Sequence, residues 1–147
     1  MSYQNNKISG NTMPDFFGRK HIDSQAIDEL ILRCKASEKG RSRLCIHSNN
    51  HELLHCMLIC FSPLHTVAPH KNVSTGQIIY IACKGEIQIG LEDDHETCYR
   101  LGPNQMKALA VDRSVFRTVK NSIKDYSIFW EITLGPHDRS DTIWKAI

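Results

Sequence analysis

Residues 77–91 read Gln77-Ile78-Ile79-Tyr80-Ile81-Ala82-Cys83-Lys84-Gly85-Glu86-Ile87-Gln88-Ile89-Gly90-Leu91. Two short apolar runs meet at a Lys-Gly turn, the pattern of a β-hairpin. In the second run Ile87, Ile89 and Leu91 fall on one side of a strand, and Glu86 and Gln88 on the other. The first run, from Ile78 to Cys83, is apolar on both faces and predicts a strand covered on both sides. Runs of this length are too short to separate into helices, so this hairpin sets the fold class.

The same grammar extends in both directions. Leu53–Phe61 ends at Ser62-Pro63, Thr97–Leu101 at Gly102-Pro103-Asn104, and Met106–Val111 at Asp112-Arg113-Ser114. Val115–Val119 stops before Asn121-Ser122, and Tyr126–Leu134 stops at Gly135-Pro136. Short strands at such regular spacing predict a sandwich or closed barrel over about residues 43–134. One helix is expected ahead of it, over about 23–38. Asp23 or Ser24 can cap it, Ile27, Leu30, Ile31 and Cys34 recur at helical spacing, and Glu38-Lys39-Gly40 would end it. Residues 1–15, rich in Ser, Asn and Gln, read as a flexible N-terminal tail, leaving 16–147 as a single domain. The expectation is an all-β fold, a small antiparallel jelly-roll barrel preceded by one N-terminal α-helix.

A chain of 147 residues with 41% apolar and 23% charged residues can bury one core. The net charge of +2, spread over scattered lysines and arginines, predicts no nucleic-acid partner. No apolar stretch is long enough to cross a bilayer as a helix, and the polar start lacks the core of a secretory leader, so the expectation is a cytoplasmic protein with no membrane partner. Most of the six cysteines lie inside apolar runs, where they read as buried thiols.

His51-Glu52-Leu53-Leu54-His55 matches the HExxH pattern of zinc proteases. That chemistry requires a helix, which alone places two histidines four apart on one face around the metal. Here the pattern runs into Cys56-Met57-Leu58-Ile59-Cys60-Phe61, a strand, and the match carries no metal. Cys56 and Cys60, four apart on that strand, read as core cysteines.

The segments Arg43-Leu44-Cys45-Ile46-His47, Leu54–Ile59 and Pro69-His70-Lys71-Asn72 resemble the WbuC-type family of the cupin superfamily. The likeness runs on through Lys84-Gly85-Glu86 and Leu101-Gly102-Pro103 to Glu131-Ile132 and Gly135-Pro136-His137-Asp138. It implies a cupin-type barrel and an association with bacterial surface-polysaccharide synthesis. The family carries metal ligands in two motifs, the first being His-x-His followed by a Glu. Two residues apart on a strand share a face, so that spacing aims both imidazoles inward. This chain keeps His70, has Asn72 at the second position, and has Gln77 or Ile78 at the carboxylate position, depending on the direction of counting. In the second motif the matched residues are Asp112, Ser114, Arg117 and Asn121, with arginine at the last ligand position. A guanidinium repels a cation. The resemblance therefore implies a degenerate site with no metal and no other cofactor.

Val115, Arg117 and Val119 share one face of their strand; the resemblance, through the matched Asn121, sets that face inward, whereas a register slipped by one would leave Arg117 in solvent. An inward guanidinium demands an acid or an anion. His70, Asn72, Gln77 and Arg117 are accordingly the expected ligand-binding residues, for a small anionic metabolite such as a sugar nucleotide. Related cupin barrels include metal-independent sugar-nucleotide epimerases and isomerases that move protons with histidine and tyrosine, which makes His70 and Tyr80 the catalytic candidates here. The alternatives are a non-catalytic cupin acting by binding or oligomerisation, and, further behind, a metal-dependent enzyme recruiting His47, His55 or His65. By analogy with other cupin barrels, the expected assembly is a homodimer.

Overall fold

The helix, β-prone runs and glycine turns of the sequence assemble into two facing sheets in a computed structural model of the chain, which describes residues 4–5, 15–17, 19–93, 96–135 and 138–146. Helix α1 (Ser24–Ala36) starts at Asp23, whose carboxylate accepts from the Ala26 amide at 2.8 Å. Arg33 and Glu29 pair across one turn at 2.9 Å. Its buried stripe, Ala26, Leu30 and Cys34, packs on the outer face of the larger sheet against Leu44, Leu58, Cys60 and Ile128. The Ser42 hydroxyl donates to the Leu30 carbonyl at 2.6 Å and ties helix to sheet.

That sheet holds β1 (Gln4–Asn5), β2 (Asp15–Phe17), β3 (Arg41–Cys45), β4 (Leu54–Phe61), β6 (Gln77–Lys84), β9 (Ala108–Asp112) and β11 (Ser127–Leu134), in the order β1-β2-β3-β4-β11-β6-β9. The second holds β5 (Thr66–Asn72), β7 (Ile87–Leu91), β8 (Cys98–Leu101), β10 (Arg117–Asn121) and β12 (Thr142–Trp144), in the order β12-β5-β10-β7-β8. All neighbours run antiparallel except β2 and β3. The inner faces enclose a core of Met57, Ile59, Phe61, Tyr80, Ile87, Ile89, Leu101 and Phe129, among others. This is the expected antiparallel barrel behind one helix. No helix is long and apolar enough to cross a membrane among the described residues.

Three differences from the expectation have physical causes. Within residues 1–15, read as a flexible tail, Gln4–Asn5 pairs with Phe16 and Phe17, and Asp15 pairs with Arg43, so these positions extend the sheet edge; the remainder of that stretch lies outside the described residues. The run Ile78–Cys83 is covered on one face only. Ile78 and Tyr80 face the core, while Ile79 is 37% exposed on the outer face, where the buried stripe of α1 packs on Leu44, Leu58, Cys60 and Ile128 rather than on β6. Finally, the barrel does not stop at 134. Thr142–Trp144 adds a strand to β5.

The predicted turn at Lys84-Gly85 joins β6 to β7. Gly85 has φ +73, and a Cβ there would collide with the Ser127 hydroxyl, so only glycine fits. Asn121 closes the barrel below the site. Fully buried, its amide donates to the carbonyls of Ser62 and Asp125 at 2.9 and 2.7 Å, and its oxygen accepts from Ile123 N and Ser127 Oγ.

Candidate functional site

Between the sheets lies a cavity of about 780 Å³. Its walls come from β3, β4, β6 and β11 on one side and β5, β10 and β12 on the other. Along the strands that line it, alternate residues point inward, which is how Arg41 and Arg43, His55 and Met57, and Glu131 and Thr133 reach the same space. Among the described lining residues five carry a basic side chain (Lys39, Arg41, Arg43, Arg113, Arg117) and two a carboxylate (Glu131, Asp141). That imbalance gives the interior a positive potential, intensified by its low-dielectric walls.

Arg117 sits at the centre of a polar relay. Its backbone pairs with His70 across β10 and β5, next to an irregularity in that ladder between Arg117 and Val119. Directly opposed residues share a face, so guanidinium and imidazole enter the cavity side by side. Arg117 is only 3% exposed. Its Nε donates to Tyr80 Oη at 2.9 Å, Nη2 to Asn72 Oδ1 at 2.9 Å, and Nη1 to the Arg113 carbonyl at 3.2 Å. Asn72 in turn donates through Nδ2 to Asp141 at 3.1 Å, and Asp141 also accepts from Ser74 N and Ser74 Oγ, each at 2.7 Å. Burial pushes the Asp141 carboxyl up, but these hydrogen bonds outweigh it and hold the pKa below the usual carboxylate value. Asp141 thus fixes Asn72, and Asn72 and Tyr80 fix the guanidinium. Arg117 faces inward as expected, but the acid it was expected to meet is not among its hydrogen-bond partners, which are all neutral.

His70 stands beside this relay as a neutral base. Burial, aided by the Arg117 charge, lowers its pKa to about 4. Its Nδ1 lies 2.9 Å from the Ala68 carbonyl, which only accepts, so Nδ1 carries the proton and Nε2 keeps its lone pair. Trp144 of β12 lies against the ring at 5.0 Å between centroids. Tyr80 is fully buried, and burial raises its pKa. Its hydroxyl accepts from Arg117 Nε and so helps hold the guanidinium in place.

Gln77 does not join the site. It is exposed, pairs with Asp112 at the sheet edge and points away from the cavity, whereas Ile78, 2% exposed, points in. The interior position that the resemblance gives to a carboxylate is therefore Ile78, and the ligand-binding role expected of Gln77 is withdrawn. Period two decides this, since neighbouring residues on one strand cannot share a face.

His51 and Glu52 lie in the turn before β4, and only His55 is in the strand, so the HExxH pattern has no helix to act from. His47 and His55 instead stack at 4.1 Å, and burial lowers both pKa values, that of His47 to about 4. Among the described residues no three His, Cys, Asp or Glu side chains group as metal ligands. At the position the resemblance gives to a metal, His70 faces a hydrogen-bonded guanidinium, and the Asn72 oxygen is already taken by it. That donor set does not fit a cation.

The sequence reading missed Glu131, Asp141, Trp144 and Arg113. Glu131 had a signal, being the lone charge within the apolar run Tyr126–Leu134. Arg113 donates to Thr75 O and Leu134 O at 2.9 and 2.8 Å and ties the loop after β5 to the end of β11 at the cavity wall, which nothing in its turn-like surroundings announced. Asp141 and Trp144 lie past the Gly135-Pro136 break, where the barrel was expected to have ended.

Comparison with known proteins places this geometry. A Thermus thermophilus protein, TT1209, superposes with a TM-score of 0.59 at 16% identity, covering 79% of this chain and 97% of its own. A cupin superfamily protein from Desulfitobacterium hafniense gives 0.52 at 18%, covering 67% and 80%. Oxalate oxidase in complex with the substrate analogue glycolate gives 0.54 at 14%, covering 74% of this chain but only 57% of the oxidase, so the chain spans little more than half the oxidase's length. At these identities the likeness is one of fold, the cupin barrel. No curated protein matches the chain. Residues 22–100, from the start of α1 to β8, match the model of a domain of unknown function (DUF6016), and this small cupin barrel with an arginine at its centre belongs to that family.

Proposed function

We propose that this protein binds a small anionic metabolite in the barrel, through Arg117 and without a metal. The observation that carries the reading is the held guanidinium. Arg117 is buried, its partners Tyr80, Asn72 and a carbonyl are all neutral, and no carboxylate lies in ion-pair contact with it among the described residues. A buried cation with no carboxylate in direct contact is costly, and an entering anion offsets that cost with charge-assisted bonds. The surrounding cationic lining supports the same conclusion, and neutral His70 adds an acceptor at Nε2 for a ligand hydroxyl. The cavity volume suits a metabolite rather than a single ion. The WbuC-type resemblance points to sugar nucleotides or related intermediates of surface-polysaccharide synthesis as the class to try first.

The test is a thermal-shift panel of phosphorylated sugars, sugar nucleotides, small carboxylates and matched neutral sugars. The expected result is stabilisation by anions alone, with most of the shift lost in Arg117→Ala. Equal shifts from neutral sugars, or an undiminished shift in the variant, would overturn the reading. A non-catalytic binding protein would pass this test and show no turnover of any stabilising ligand.

A further inference from the structure

Anion binding leaves one group in the cavity without a task. Glu131 lies on β11, the strand between β4 and β6, paired with Met57 on one side and Tyr80 on the other. It lines the cavity, and among the described residues its carboxylate makes neither a hydrogen bond nor an ion pair. Arg117 and Arg43 are near enough to be felt electrostatically but not to pair with it. A glutamate kept to neutralise an interior arginine would contact it. Here Arg117 directs its donors to Tyr80, Asn72 and the Arg113 carbonyl instead. Burial raises the Glu131 pKa, against the pull of Arg117 and Arg43, which makes it a stronger base than an exposed carboxylate. Beside Arg117, burial and the guanidinium charge lower the His70 pKa to about 4.

We propose that Glu131 is the acid–base residue of this cavity, catalysing proton transfer at the carbon next to the carbonyl of a small 2-oxo carboxylate whose carboxylate group Arg117 holds. The proposal rests on the anion-binding reading and deepens it. In the forward step a Glu131 oxygen takes a proton from C3 of the substrate. The C–H electron pair becomes the C2=C3 bond of an enolate, and the carbonyl π pair moves onto oxygen, where the cationic lining stabilises it. In the return step Glu131 gives a proton back to C3 from the same face, restoring the oxo acid, and exchange of the Glu131 proton with solvent replaces the hydrogen that was removed. Atoms and charge balance, and no oxidant, metal or co-reactant is needed.

The experiment follows exchange of the C3 hydrogens of 2-oxobutanoate and 2-oxoglutarate in D2O by proton NMR, with binding of the same probes measured in parallel by calorimetry. The protein is expected to speed exchange of at least one probe at least a hundredfold over the protein-free rate. Glu131→Gln should abolish that acceleration while changing the dissociation constant by less than threefold. Glu131→Asp, which keeps a carboxylate, should retain measurable exchange, an outcome that a purely structural role for the side chain would not give. Probes that bind the parent without accelerated exchange would overturn the proposal and leave the anion-binding reading standing. Exchange undiminished in Glu131→Gln would also overturn it. Failure of both probes to bind would remove the oxo-acid proposal, and the phosphate and sugar-nucleotide arms of the thermal-shift panel then decide the broader reading independently. Should Glu131→Gln fail to fold, the comparison of Glu131→Asp with the parent decides, and equal exchange rates there would refute a base acting at close range.

Discussion

Replacing Asp141 by alanine perturbs the relay at the end furthest from the cavity centre, and its consequences can be worked through from the contacts. Three hydrogen bonds are lost: Ser74 N and Ser74 Oγ at 2.7 Å each, and Asn72 Nδ2 at 3.1 Å. A buried bond to a charged acceptor contributes roughly 1.5–3 kcal/mol. Asp141 is only partly buried, so water replaces much of each bond, and the expected total is about 1–3 kcal/mol. In a domain of this size that corresponds to a fall in Tm of about 2–10 °C. Asn72, freed at Nδ2, can rotate its amide and withdraw Oδ1 from Arg117, so anion affinity should fall together with stability. The loss should also be local. Val73 N and Lys145 N donate to the Asp141 and Pro69 carbonyls at 2.8 and 3.0 Å, and hydrogen exchange at these two amides should quicken more than in β4 or β11. Because the native carboxyl titrates below its ordinary value of 3.8, its contribution is present above that pH and fades as pH falls through the native value, so parent and variant should converge in acid. Calorimetric melting at pH 7 and pH 3, with exchange mass spectrometry, measures all of this. An unchanged Tm at pH 7, or a difference that persists undiminished in acid, would refute the reasoning.

Stability of the parent should drop as pH falls from 6.5 toward 4. His47 and His70 have native pKa values of about 4 against an ordinary 6.5, so in that window the unfolded chain takes up protons that the folded chain refuses. The effect is at most ~3 kcal/mol per histidine before solvent screening; urea midpoints at pH 7 and 5 report it, and a His47→Gln, His70→Gln double variant should flatten the slope. Asn121→Ala, which removes a fully buried amide and with it the donor to the Ser62 and Asp125 carbonyls, should cost about 3 kcal/mol or more in denaturant unfolding, with no specific change in anion affinity where the variant remains folded.

The barrel was legible because its signals are local. Glycine turns such as Lys84-Gly85 and alternation such as Ile87-Gln88-Ile89 depend on the chain's own period, and the helix from Asp23 on carries its cap and its stripe within one segment. Arg117 was legible only in part this way: period two put it on one face with Val115 and Val119, but the inward sense of that face came from the resemblance, through Asn121. Gln77 and Ile78 show where that reasoning stops. One inserted residue between His70 and Gly85 left the register undecided, and only the pairing of β6 with β9 and β11 resolves it. Glu131 and Asp141 were harder still, for their significance lies in contacts across 69 positions, as between Asn72 and Asp141, or in the absence of an ion pair that neighbouring arginines would have offered. Trp144 belongs with them. Nothing in a three-residue run after Gly135-Pro136 says that it will return to β5 and cover His70.

The most direct test of the central claim is an anomalous-difference map from crystals of the protein soaked in selenate, with data collected at the selenium edge and at the iron, manganese and zinc edges. The account predicts a selenium peak within hydrogen-bonding distance of the Arg117 guanidinium and His70, and no metal peak at His70. A transition-metal peak ligated by His70, or selenate confined to the outer surface while the cavity stays free of it, would contradict the account.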